Sequence, residues 1–281
     1  MRLHTIDTGF FKLDGGAMFG VVPKSIWQRS NPADENNMCT WAMRCLLIED
    51  GNRLILIDTG IGNKQDEKFL RHYYLHGESS LDKSLEKKGF NRNDITDVFL
   101  THLHFDHCGG AIERADNGSL VPAFENAVYW SNEKHWNWAV NPNAREKASF
   151  LKENILPIQE SGQLKFIAED EHTSFAPGIS IRFAYGHTDA MMLPQIEYNN
   201  KKIVYMADLL PSTGHIPLPY VMSYDMFPLQ TLEEKGKFLR EAAEHQYILY
   251  LEHDPVNECC TVQATEKGIR LAETFSLDNC T

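Results

Sequence analysis

At 281 residues the chain is long enough for a substantial core. Its 42% hydrophobic, 11% aromatic and 23% charged content is that of an ordinary globular protein and excludes a disordered one. A formal charge of −12, from 27 Lys and Arg against 39 Asp and Glu, comes with no basic stripe, which excludes the phosphate-neutralising surface of a nucleic-acid binder.

The N-terminal stretch Met1 to Gly16 carries acidic and polar residues where a secretory signal would need a continuous apolar run. No segment reaches the length of a membrane span, so a cytoplasmic protein is expected. An early Gly-rich loop presents Met18 and Phe19, and Trp27 follows. Branched and aromatic runs then predict strands at Ala42 to Ile48, Arg53 to Ile57, Asp97 to Thr101, Ala127 to Trp130, Ile179 to Ala184, Leu193 to Tyr198, Lys202 to Met206 and Tyr247 to Leu251. Apolar spacing predicts helices from a Ser79 or Ser80 cap to about Lys88, over Ala144 to Gln159 and over Leu229 to Glu244. The Pro-rich segment Pro211 to Pro228 reads as an ordered surface loop or lid.

Hairpins, then β-helix-β units, then a second half with the same ingredients predict an α/β protein with two sheets packed together and helices outside. With no linker in view, residues 1–281 are expected to form one domain. The six cysteines, Cys39, Cys45, Cys108, Cys259, Cys260 and Cys280, fit neither a disulfide framework nor a Cys-x-x-Cys zinc site and are expected as free thiols.

The chemistry concentrates in Phe99-Leu-Thr-His-Leu-His-Phe-Asp-His-Cys-Gly-Gly110, where an apolar strand runs into four ligand-type side chains within six positions. In extended backbone residues two apart share a face, so His102 and His104 can offer their imidazoles to one ion. Asp106 and His107 can then face a second ion once the chain turns, and Gly109 and Gly110 permit the close backbone approach of such a turn. Three imidazoles and a carboxylate together are costly to bury uncompensated, and a divalent cation removes that cost. Of the other histidines, His4, His72, His76, His135, His172, His215 and His245 do not cluster and are expected mostly at the surface, His215 excepted because its loop could bring it to substrate.

This segment resembles the His-x-His-x-Asp-His loop that marks the metallo-β-lactamase-fold hydrolases, and the resemblance extends over nearly the whole chain. It implies a four-layer αββα sandwich of two mixed β-sheets with helices on the outer faces. The superfamily's remaining ligands match His187 in Tyr185-Gly-His-Thr-Asp189, Asp208 in Val204-Tyr-Met-Ala-Asp208 and His253 in Leu249-Tyr-Leu-Glu-His-Asp254. By that likeness His102, His104 and His187 hold one metal, Asp106, His107 and His253 hold the other, and Asp208 bridges them. Leu54-Ile-Leu-Ile-Asp-Thr-Gly60 resembles the element whose Asp, here Asp58, supports the ligand loop without touching metal.

Two cations, zinc by default with manganese or iron as options, would lower the pKa of a shared water to about 7 and so supply hydroxide at neutral pH. Asp106 or Asp208 could shuttle its proton. The ligand set resembles the dinuclear lactonase and glyoxalase-II-like group more than the β-lactamases, and the named candidate is an N-acyl-homoserine lactonase. Its alternatives are a phosphotriesterase or arylesterase and a mononuclear iron persulfide dioxygenase. Lactonases carry a Tyr shortly after the bridging Asp, whereas this chain has Leu209-Leu210-Pro211, so Tyr220 or His215 is left to supply that catalytic contact. Met18, Phe19, Trp27, Phe105, Met191, Met192, Leu218, Tyr220 and Met222 could line an apolar pocket or fill the core. A small neutral or partly apolar substrate is expected as partner, and a homodimer is left open.

Overall fold

The computed structural model describes residues 1–170 and 173–280. The chain divides into two compact units, one of Met1–Gly9 with Met43–Asp170 and the other of Phe10–Ala42 with Glu171–Thr281. The division cuts β1 (Arg2–Asp14) after Gly9 and β2 (Met38–Asp50) before Met43.

The first unit carries most of a six-stranded mixed sheet in the order β1-β2-β3-β4-β7-β8. Its other members are β3 (Arg53–Ile57), β4 (Asp97–Phe99), β7 (Val128–Ser131) and β8 (Leu164–Phe166). β5 (Ile112–Arg114) and β6 (Leu120–Pro122) form a separate two-stranded ribbon. β2 and β3 pair antiparallel with Asp50 opposite Arg53, which leaves a two-residue loop where Gly51 takes a φ of +60°. β3, β4, β7 and β8 pair parallel. β3 and β4 lie inside the sheet, which is why β3 reads as an apolar run after Arg53, whereas β8 lies at its edge and is largely exposed. Leu56, Val98, Leu100, Leu103, Tyr129 and Trp136 belong to the core of this unit.

The second unit carries a seven-stranded sheet, β9 (Ser174–Ala176), β10 (Ile179–Ala184), β11 (Met191–Tyr198), β12 (Lys201–Tyr205), β13 (Ile248–Tyr250), β14 (Cys259–Thr265) and β15 (Gly268–Phe275), ordered by sequence across the sheet. Asn199 and Asn200, both at positive φ, close the β11–β12 hairpin. β12 and β13 pair parallel, and the helix Pro228–His245 crosses between them. That helix starts with Pro at its first turn and buries Thr231, Lys235, Phe238, Leu239 and Ala242, one helical stripe.

The α/β class with mixed sheets is as expected from sequence. The predicted strands recur within a residue or two at each end, except that β2 begins at Met38, four residues before the expected Ala42. The helix expected over Ala144 to Gln159 forms only over Lys152–Glu160. The six cysteines form no disulfide among the described residues, as expected, and all are buried.

Candidate metal centre

In the first unit β4 delivers the chain into Thr101-His102-Leu103-His104, followed by the one-turn helix Phe105–Cys108. The turn fits only because Gly109 and Gly110 lack a Cβ, which would run into the carbonyls of Ile61 and Thr59. Asp58, buried and held at a φ of +58°, fixes the segment from behind. Its carboxylate accepts hydrogen bonds from the Thr101 amide at 2.8 Å, the Thr101 hydroxyl at 2.7 Å and His107 Nδ1 at 3.2 Å.

These bonds set the tautomers. The Thr101 hydroxyl donates to Asp58, so it accepts from His102 Nδ1 at 3.1 Å and leaves Nε2 of His102 with its lone pair. His104 donates through Nε2 to Glu146 at 2.9 Å, which leaves Nδ1 with the lone pair. Those two lone-pair nitrogens are 3.1 Å apart. Two acceptors repel at that distance, whereas two nitrogens sharing one tetrahedral zinc ion sit about 3.3 Å apart. The donor set thus fits a divalent cation. His107 spends Nδ1 on Asp58 and turns Nε2 toward Asp106 Oδ2 at 3.8 Å. Burial, and then the Asp106 charge, raise the Tyr73 phenol to about 12. The Tyr73 ring packs 4.6 Å from Phe105, and Phe69 meets Phe105 edge-on at 5.5 Å.

In the second unit Asp208 lies between two imidazoles, with Oδ2 3.0 Å from His187 Nε2 and Oδ1 3.0 Å from His253 Nε2. Their far nitrogens are tied, His187 Nδ1 to Asp225 at 2.9 Å and His253 Nδ1 to the Ala42 carbonyl at 2.8 Å. Burial lowers the proton affinity of His187, but the Asp208 and Asp225 carboxylates outweigh it and raise its pKa to about 10. Ala207, just before Asp208, is strained at a φ of +39°. Asp254 accepts from the amide and hydroxyl of Thr213 at 2.9 and 2.7 Å and so ties the Pro-rich loop to the segment after β13. The seven expected ligands, buried at 8% exposure or less, therefore fall into two sets of donors, each organised within its own unit and each of a kind that holds divalent metal.

His215 is buried, and both its nitrogens are engaged: Nε2 donates to the Met18 carbonyl and Nδ1 accepts from the Ser212 hydroxyl, each at 2.9 Å. Its ring stacks on Phe19 at 4.4 Å, Phe19 in turn stacks on Trp27 at 5.3 Å, and burial holds its pKa down to about 3. Tyr220, half-buried, meets the Phe19 edge, and its carbonyl takes one of three hydrogen bonds from the buried Lys235 ammonium. The other two go to the His215 and Pro217 carbonyls. Of the proposed pocket residues, Met18, Phe19, Trp27, Phe105, Met191, Met192 and Met222 are buried and Leu218 is exposed.

Sequence reasoning placed His135 at the surface, but it is fully buried and its Nε2 accepts the Leu103 amide at 2.9 Å, holding the backbone between His102 and His104. It also missed Glu146, Asp225 and Asp254. Asp254 carried a signal, since it follows His253 directly; the other two carried none. His172 lies outside the described residues.

A family model described as the metallo-beta-lactamase superfamily matches residues 44–253. A "probable metallo-hydrolase" of Mycobacterium tuberculosis is 32% identical over 238 residues, 75% of this chain and 74% of its own length. An N-acyl homoserine lactonase of Bacillus cereus is 24% identical over 215 residues, 73% of this chain and 74% of that relative. Among solved structures, a probable metal-dependent hydrolase from Staphylococcus aureus aligns with a TM-score of 0.86 at 31% identity, covering 98% of both chains. A dizinc quorum-quenching lactonase bound to a product, AidC, shares the fold with a TM-score of 0.80 at 23% identity, covering 98% of this chain and 97% of its own. The match runs through the ligand loop to the last imidazole, and the chain accordingly belongs to the metallo-β-lactamase superfamily as a metal-dependent hydrolase.

Proposed function

We propose that the chain is a dinuclear hydrolase of esters and lactones, with N-acyl homoserine lactones as the first substrates to test. In this reading His102, His104 and His187 hold one ion, Asp106, His107 and His253 the other, and Asp208 serves both, so residues 1–281 act as one domain. The observation that carries it is the donor geometry: lone pairs of His102 and His104 facing each other at 3.1 Å, and each Asp208 oxygen 3.0 Å from a different imidazole. Zinc is the default ion for five imidazoles and two carboxylates.

Bound cations there would lower the pKa of water to about 7 and polarise the substrate carbonyl. Asp106 and Asp208 are the carboxylates able to take up the proton released. The contacting Phe69, Tyr73 and Phe105 rings, the last next to Asp106 in sequence, would favour a partly apolar substrate. Because His215 spends both nitrogens inside the protein, it is assigned to shaping its loop, and Tyr220 is left as the group of that loop for substrate. The lactonase relatives and the product-bound lactonase of the same fold support the substrate class.

The test is hydrolysis of hexanoyl and decanoyl homoserine lactones and of an aryl acetate by metal-free protein, before and after zinc is returned. Ring opening that vanishes on chelation and returns with two zinc ions per chain is the expected result. Asp106→Ala and Asp208→Ala should each lower kcat on the order of 10²–10³-fold while the protein stays folded by circular dichroism. Undiminished turnover in the chelated protein, or one iron per chain with oxygen consumption, would overturn the proposal.

A further inference from the structure

Each of the five ligand-type imidazoles leans on a polar group, but the groups differ in charge. Those behind His102 and His253 are neutral, the Thr101 hydroxyl and the Ala42 carbonyl. Behind His107, His104 and His187 stand carboxylates, those of Asp58, Glu146 and Asp225. Glu146 and Asp225 are each 1% exposed, and both are held firmly in place. Glu146 spends its second oxygen on the Trp138 indole at 2.6 Å and the Asn143 amide at 3.3 Å, and Asp225 accepts the Met222 backbone N–H at 3.2 Å.

We propose that Glu146 and Asp225 are positioning residues for one and the same ion, setting its affinity and leaving the other ion's unchanged. The inference rests on the two-ion reading above, in which His104 and His187 share an ion. A hydrogen-bond acceptor behind a ring fixes its tautomer and orientation; an anionic acceptor also makes the opposite nitrogen a stronger donor. Glu146 leaves Nδ1 as the donor of His104, and Asp225 leaves Nε2 as the donor of His187. Each contact lies inside a single unit, Glu146 to His104 across 42 positions of sequence and Asp225 to His187 across 38.

Glu146→Gln and Asp225→Asn keep a carbonyl oxygen for the ring N–H and remove the charge, but they also turn an amide N–H toward the Trp138, Asn143 and Met222 donors that the second carboxylate oxygen accepted. Metal-free wild type, both single variants and the double variant would be titrated with zinc against a chromogenic chelator, with the ions counted. Cobalt would be added in parallel for its visible spectrum. Wild type should take two ions, and in each single variant one of them should bind about 10–100-fold more weakly while the other stays within about threefold. The double variant should weaken that same ion further, and the cobalt band of that ion alone should move. Melting of the metal-free variants reads the cost of those lost acceptors, a cost that Trp138→Phe imposes without touching the charge behind His104; a Trp138→Phe variant that weakens the same ion as strongly would assign the effect to packing and overturn the inference. Wild type with two ions, and variants in which neither or both ions weaken, would overturn it while leaving the two-ion reading standing. Wild type that does not take two ions would overturn both.

Discussion

His215 has the environment of a neutral ring that cannot charge in place. In the unfolded chain it would protonate near the ordinary 6.5, and in the folded protein burial delays this to about 3. Between those values the unfolded chain holds the extra proton, so the stability His215 contributes is complete above 6.5 and is lost as pH falls toward 3, by up to about 1.4 kcal/mol per unit. Urea unfolding of wild type and His215→Asn at pH 7, 6 and 5 should show the gap between them narrowing on acidification; a constant gap would mean the ring charges without cost. The residues that chemistry made dense in sequence, His102 to His107, were legible there, and Asp58 through the likeness of Leu54 to Gly60 to the family's supporting element. Glu146 and Asp225 were not, because a lone carboxylate 42 or 38 positions from its imidazole leaves no pattern in spacing. His135 misled for the complementary reason: isolation in sequence looks like solvent exposure until a distant backbone amide supplies its partner.

The ligand loop works as an element because two glycines let it lie against the turn after β3. In Gly109→Ala and Gly110→Ala the new methyl would meet the Ile61 and Thr59 carbonyls, backbone atoms that cannot swing aside. Each should destabilise the protein by about 1–3 kcal/mol and weaken zinc uptake, read by urea unfolding and chelator competition. The strands that sequence patterning found are the apolar ones, β3 and β10 to their last residue. β1 and β15 escaped because their residues are mostly half-buried or exposed and mix charges into the pattern, so two-residue alternation is lost. The helix expected from Ala144 begins only at Lys152, since the preceding residues turn Glu146 inward to His104 and Trp138. A side-chain task there overrides helix propensity.

For the whole molecule, the single-domain reading predicts that loading the proposed ions stabilises the folded chain as one body. At free zinc 100-fold above its dissociation constant each site would add about 2.7 kcal/mol. Calorimetry should therefore show one transition moving up with zinc, and two transitions that ignore zinc would dissolve the single-domain expectation. The Trp27–Phe19–His215 stack has an optical consequence. Trp41 sits 5.8 Å from the His215 ring and Trp27 lies one ring away, across Phe19, so the emission of Trp41 above all should be quenched if that ring charges. Fluorescence that dims in acid ahead of the far-ultraviolet ellipticity would date the loosening of this one corner, and simultaneous change would mark collapse of the architecture in a single step.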